Sequence, residues 1–493
     1  EKIVNGKYDE DSEAVILHLF GLDDAGFDVN EAESKIVLSI QNTIQAFEKN
    51  NIKINKFVVI TTDALMLGNK CNKNYLYSIA DGYCTAAVDE GYNVSYIDID
   101  KASENNIHSI IRNELCENTL YKIIYRNGGR YRAVLINADV NNIRNENAVV
   151  YGGLYAITGG LGGIAEKIAE ILIDKFNAKV LLLGRKSVSE LSKEKIEILE
   201  KLNNNSNGNV EYYSCDITSF ADFEKIINEG TKKYSHELDG IIHLAGTVTE
   251  KMIAVQNKED IDAIYASKVY GTNVIAEYVK KNKNTTLVLT SSARTLSPGI
   301  TVSAYCSAST FNANVAGYLR NQYDIDAICL SWSQWDEIGM SRDIPIKKVL
   351  QDKGFDNISG IRGQNSFVAA LHMDVTYLYV GLDPSKSVID SLSKEHSEVD
   401  TYTVYVESEA INGKESLFES RVNELLDKKN VIFHVLKMLP LDKNGKVDKV
   451  ILKSRKAVLT GEVELVKPRN EVEETISNCW KKIFNNVEFG VTR

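Results

Sequence analysis

The chain has 493 residues, 44% of them hydrophobic and 25% charged, and a net charge of −11, which suits a globular protein of about three domains and excludes general nucleic-acid binding. No apolar run approaches the ~20 residues of a membrane span, and no secretory pattern opens the chain. Seven scattered cysteines without a C-x-x-C pair exclude a disulfide framework and a structural zinc, so a cytoplasmic protein without a metal is expected.

Both ends fall abruptly, as in a piece of something longer. From Ala14 to Asp139 strand-like runs alternate with helical ones. A-V-I-L-H-L-F (14–20), F-V-V-I-T-T (57–62) and N-V-S-Y-I-D-I (93–99) read as strands, with helices near 31–49, 74–89 and 103–115. K-I-I-Y-R (122–126) and Y-R-A-V-L-I (131–136) flank Asn127-Gly128-Gly129, a hairpin signal. No glycine fingerprint follows any of these strands. Residues 1–148 are therefore expected to have a nucleotide-fold shape without a nucleotide.

Residues 149–392 read as a second α/β unit, and its opening is different. Tyr155 to Thr158 suits a buried parallel strand. Thr158, Gly159, Gly160, Leu161, Gly162, Gly163 and Ile164 then turn the chain into a helix. Such a turn lets backbone N–H groups approach a pyrophosphate at a helix N-terminus, where the dipole favours negative charge. The next strand ends on Gly184-Arg185-Lys186, where NAD sites usually carry an acidic residue. A guanidinium pairs with a 2′-phosphate, so Arg185 points to NADPH. The asparagine-rich 203–209 reads as a surface loop.

Further on, L-V-L-T-S-S (287–292) is a strand ending on two serines, and A-Y-C-S-A-S-T-F (304–311) reads as a helix carrying Tyr305. Lys268 sits upstream in Y-A-S-K-V-Y-G. A Ser, a Tyr and a Lys that converge at strand ends can polarise a carbonyl, donate a proton and lower the donor's pKa.

These residues resemble the ketoreductase domains of modular polyketide and nonribosomal peptide synthases, within the short-chain dehydrogenase/reductase superfamily. The resemblance rests on T-G-G-L-G-G (158–163), C-D-I-T (215–218), H-L-A-G (243–246), S-K-V-Y-G (267–271), T-S-S (290–292), Tyr305 and S-W-S-Q-W-D-E-I-G-M (331–340). It implies two Rossmann-like doubly wound halves, one structural and one catalytic. Tyr305 is then the proton donor, Ser292 binds the carbonyl oxygen, and Lys268 binds the nicotinamide ribose. Asp216 is placed at the adenine amino group, Ala245 and Gly246 beside the adenosine ribose, and Ile217 is counted among the cofactor-binding residues. The family usually has Asn four residues after its Tyr; Ser309 stands there. Neither the L-D-D triplet after H-L-A-G nor a tryptophan just ahead of Tyr305 is present, so the alcohol's configuration stays open.

Polar sequence near 385–400 reads as a linker. Residues 393–460 resemble a partial adenylation C-terminal subdomain: T-Y-T-V-Y-V (401–406), a helix near Leu417 to Leu426, and P-L-D-K-N-G-K-V-D, with Lys446 expected to be a relic rather than a catalyst. P-R-N-E-V-E-E (468–474), within 461–493, resembles the entry to a carrier protein. This order matches the keto-acid modules of depsipeptide synthetases. The partners implied are a phosphopantetheine-bound acyl substrate on a carrier protein and the adenylation core of the same synthetase. The reaction implied is α-keto to α-hydroxy acyl thioester. A β-keto polyketide substrate and a silent scaffold are the alternatives.

Overall fold

The computed structural model describes residues 13–393, except 24–27, 69–71, 117–121, 145–147, 207, 337 and 339–346, together with 402–407, 431–436, 439–440 and 447. It divides into two compact units, Glu1–Lys394 and Glu395–Arg493.

The first unit holds two sheets. Strands β1 (Glu13–Gly21), β2 (Lys53–Thr62), β3 (Val94–Ile99), β4 (Lys122–Arg126) and β5 (Gly129–Tyr131) lie side by side in that order. All neighbours are parallel except β4 and β5, which form a hairpin with Asn127 and Gly128 at φ 53° and 76°. Two positive φ values suit the twist of a tight hairpin, which explains the Asn-Gly pair. β5 stops at Tyr131 rather than running to residue 136 as expected. Ile136 is 83% exposed, and the chain leaves the sheet to bond Leu135 N–H to the Leu392 carbonyl.

The second sheet comprises β6 (Leu154–Thr158), β7 (Lys179–Gly184), β8 (Val210–Ser214), β9 (Leu238–His243), β10 (Thr286–Ser292) and β11 (Ala327–Trp332). A short ladder of β12 (Gln334–Trp335) and β13 (Asn357–Ile358) stands apart from it, and β14 (Tyr377–Val380) closes its edge. The strand order is β14-β11-β10-β9-β6-β7-β8, all parallel. The order reverses between β6 and β9, which is where open sheets of this kind bind ligands. Helices cover both faces, so β6, β7 and β11 read as near-continuous apolar runs.

The two sheets are bridged by paired helices. Helix Ile79–Asp89 of the first half lies against Ser303–Tyr323 of the second. Gly82 permits the approach: a Cβ there would overlap the Cys306 carbonyl, and Gly82 N–H donates to Thr310 Oγ1 at 3.0 Å. Ser307 Oγ donates to the Ile79 carbonyl at 2.6 Å, and Met66 N–H to Asn314 Oδ1 at 2.9 Å. Glu90 accepts from Ile253 N–H and Thr301 N–H, at 2.8 and 3.1 Å. At the strand ends of the first sheet, Asp98 is enclosed. Its carboxylate accepts from Thr61 Oγ1, Ala64 N–H, Leu65 N–H and the Arg126 guanidinium.

Two further expectations are corrected. Asn203, Asn204 and Asn205 form the last turn of helix Lys193–Ser206, held by buried Leu202 and Ser206. Part of the supposed linker is helix Ser387–Ser393, anchored by buried Ile389. In the second unit, β15 (Tyr402–Glu407) and β16 (Val431–Leu436) pair in parallel, Tyr402 opposite Val431. Lys446, the helix expected near 417–426 and the carrier-like 461–493 lie outside the described residues. Among the described residues no helix is long and apolar enough to cross a membrane.

Candidate functional site

Two cavities that share Ile164, Leu244 and Gly246 lie at the strand ends where the sheet order reverses. The larger, about 600 Å³, runs from the glycine turn to Arg185, Lys186, Lys195 and Asp216. Gly159 sits at φ +70°, and a Cβ on it would meet the Ala245 backbone at 3.0 Å. A Cβ on Gly160 would lie 2.8 Å from Leu182 Cα. The turn is thus backbone packed on backbone, which side chains would prise apart. It leads into helix Gly163–Phe176, whose N-cap Gly162 offers no capping side chain. The first-turn N–H groups therefore face the cavity without a side-chain acceptor.

Leu161, Gly163, Ile164, Ile217, Ala245 and Gly246 line the same space. Asp216 is its single acidic lining residue, against three basic ones, and its Oδ1 accepts from Thr218 N–H and Oγ1. Arg185 is exposed on the rim and forms no ion pair with any described residue. These groups fit a dinucleotide with an extra phosphate near Arg185. Thr158 is placed differently from its neighbours. It is fully buried below the turn, and its hydroxyl serves His243.

The smaller cavity, about 190 Å³, is lined by Lys268, Ser292 and Tyr305. Three separate segments bring them there. Lys268 is on a π-helical turn, Ala266–Gly271; Ser292 ends β10; Tyr305 is in the first turn of Ser303–Tyr323. Gly246 leaves room for the lysine stem, since a Cβ there would come 2.9 Å from Lys268 Cε. Lys268 Nζ lies 6.0 Å from the Tyr305 ring centre and donates to the Thr290 carbonyl at 2.9 Å. Burial pushes its pKa down to about 8.

Burial also raises the Tyr305 phenol above its ordinary value; the Ser292 hydroxyl, the Arg294 guanidinium and the Ser309 hydroxyl pull it back. Ser309 Oγ is buried and has no partner at hydrogen-bonding geometry, though it lies close enough to the phenol to favour the phenolate. Arg294 is held by the Pro298 carbonyl at 3.3 Å and by Glu250 at 3.5 Å.

The roles of two supporting residues were not read from the sequence. Asn312 donates to the same Thr290 oxygen as Lys268, at 2.9 Å, and its Oδ1 accepts from Thr272. It stands on the helix of Tyr305, seven positions on, so helical periodicity was the signal available. His243 Nδ1 lies 2.7 Å from Thr158 Oγ1, and Nε2 lies 3.0 Å from the Ser267 carbonyl. A carbonyl only accepts, so Nε2 carries the proton and Nδ1 accepts from the threonine. Burial and the nearby Lys268 cation push the His243 pKa down to about 3, so the ring stays neutral.

A doubly wound parallel sheet with a glycine turn beside a Lys, Ser and Tyr set is a Rossmann-like arrangement that can hold a dinucleotide next to an acid–base group. Residues 153–337 match the KR domain family. Among curated proteins the chain is similar to a phenolphthiocerol/phthiocerol polyketide synthase of Mycobacterium tuberculosis, 26% identical over 253 residues. It is also similar to polyketide synthase PksL of Bacillus subtilis, 27% identical over 205 residues. These matches cover 50% and 40% of this chain but only 13% and 4% of the relatives.

Among solved structures, an adenylation, ketoreductase and pseudo Asub multidomain structure of a keto acid-selecting NRPS module is 27% identical, with a TM-score of 0.73. That match covers 90% of this chain and 39% of the other. A ketoreductase domain from the bacillaene assembly line shares the fold at 18% identity and a TM-score of 0.64, covering 79% of this chain and 96% of the other.

Proposed function

We propose that this chain reduces an α-keto acyl thioester, tethered to a carrier protein by phosphopantetheine, to the α-hydroxy acyl thioester, using NADPH. One observation carries the substrate class. The likeness to a keto acid-selecting module covers 90% of the chain, more than the first unit contains, so it reaches past the KR domain into the unit of β15 and β16. An adenylation core of the same synthetase is the expected neighbour.

The residues divide the work. The glycine turn and the N-terminus of Gly163–Phe176 hold the pyrophosphate, and Arg185 holds the 2′-phosphate. When bound, NADPH supplies a hydride to the carbonyl carbon. Ser292 hydrogen-bonds the ketone oxygen, and Tyr305 gives that oxygen its proton. Lys268, tied with Asn312 to the Thr290 carbonyl, supports the phenolate left behind and faces the ribose. Ser309 stands near enough to the phenol to join its proton path.

The test is NADPH oxidation with matched α-keto and β-keto acyl thioesters of N-acetylcysteamine. Faster turnover of the α-keto compound, with an α-hydroxy product, is expected. A clear β-keto preference would replace this reading with the polyketide one, which the two polyketide synthase relatives favour.

A further inference from the structure

The helix that carries Lys268 is irregular at its centre. Lys258–Tyr265 and Thr272–Lys281 are α-helical, and Ala266–Gly271 between them is the π turn that holds the lysine. A second π turn, Glu33–Leu38, lies in the first half, and these are the only two among the described residues. π turns are rare and are found mostly at functional sites. Here the two are bonded to each other: the Tyr270 hydroxyl donates to the Glu33 carboxylate.

Two more links join the first half to the same helix. The Tyr75 hydroxyl donates to Asn273 Oδ1 at 3.0 Å. Ser307 gives its one hydroxyl hydrogen to the Ile79 carbonyl at 2.6 Å, so the Tyr265 hydroxyl donates to Ser307 Oγ, at 2.5 Å. Tyr265, Tyr270 and Asn273 stand three residues before, two after and five after Lys268, so the lysine is tethered from both sides. Its own Nζ reaches the Thr290 carbonyl and lies 6.0 Å from the Tyr305 ring centre.

The Glu33 link is the costly one. Glu33 is 2% exposed, burial raises its pKa, and Lys258 Nζ stands 3.6 Å from its other oxygen. A buried carboxylate destabilises a fold unless strong partners replace its water, and a hydrogen bond to a charged group is of the strong kind. It is also the link closest to the lysine in sequence, since Tyr270 shares the π turn. The extra residue of such a turn offsets side chains by about 100° from an α-helical course. Without its anchor the turn is free to relax and to carry Lys268 out of line with Tyr305. We propose that Glu33, acting through Tyr270, is a positioning residue for Lys268, so that the first half sets where the lysine stands beside Tyr305. The proposal rests on the reading above, in which Lys268 serves Tyr305 during reduction.

The experiment is a double-mutant cycle on kcat in the full chain, with Tyr270→Phe, Lys268→Met and the two combined. It uses whichever of the two thioesters above the unaltered chain reduces. Tyr270→Phe alone is expected to lower kcat about tenfold, since rates are sensitive to small misplacements. In the Lys268→Met background the same change should cost less than about twofold, because residues that act as a unit are not additive. Glu33→Gln, whose amide oxygen still accepts from Tyr270, should keep kcat within about threefold of the unaltered value, whereas Glu33→Met should reproduce the Tyr270→Phe loss. An equal fold loss in both backgrounds would overturn the proposal and leave the bond a packing contact, as would an unaltered kcat in Glu33→Met. If Tyr270→Phe does not fold because its carboxylate partner is stranded, the apolar pair Glu33→Met with Tyr270→Phe takes its place in the cycle. A chain that oxidises NADPH with neither thioester would overturn the reductase reading and this proposal with it; additivity in an active chain overturns the proposal alone.

Discussion

Lys268 offers a test that needs no substrate. It is 4% exposed, and its pKa of about 8 in the fold lies below the ordinary 10.5. A base with a depressed folded pKa binds fewer protons folded than unfolded, so stability rises with pH between the two values. Below about pH 8 the full penalty is present; above about pH 10.5 it is gone. Two and a half units at 1.36 kcal/mol each make the penalty about 3 kcal/mol at neutral pH. Between about pH 7 and pH 9.5 the recovered part is about 2 kcal/mol. Lys268→Met removes the titrating group, so the stability of the unaltered chain relative to the variant should improve by that amount over this range. Urea unfolding of both proteins at the two pH values, without cofactor, measures it. A stability difference that stays constant with pH would show that the ammonium is not buried as described, and would remove the basis for its role beside Tyr305.

Tyr305→Phe is expected to lower kcat by roughly 10²- to 10⁴-fold, the usual worth of a positioned acid, while NADPH titration gives a Kd within about twofold of the unaltered value. Arg185→Ala should weaken NADPH about tenfold or more, the scale of a lost charged hydrogen bond, and leave NADH nearly unchanged; equal effects on the two cofactors would move the 2′-phosphate elsewhere. Gly82→Ala should cost about 1–3 kcal/mol by overpacking against Cys306 and reduce turnover from outside either cavity. Thermal unfolding and steady-state rates of that variant within error of the unaltered chain would contradict the helix contact.

The glycine turn was legible because its demands are local. Strand, positive φ, close backbone approach and helix start all fall within one short stretch. Lys268, Ser292 and Tyr305 were legible as the residue types that carbonyl chemistry needs and through the resemblance of their motifs, and the structure brings all three to one cavity. His243 and Arg294 were not, since their significance depends on which distant segments meet: Ser267 for the histidine, the Tyr305 phenol for the arginine. The errors in secondary structure fell at edges. β5 ends early because an edge strand is paired on one side only, and Asn203 to Asn205 stay helical because tertiary burial of Leu202 overrides weak propensity.

The contact of Gly82 with Cys306 has a practical meaning for anyone cutting this chain into fragments. A donor fragment cut at the junction near residue 148 would arrive with the Tyr305 helix stripped of its supporting surface, and a foreign N-terminal half would have to reproduce a bare backbone stripe at one position. Any fragment that carries the Tyr305 helix should therefore also carry helix Ile79–Asp89 and the sheet it packs on.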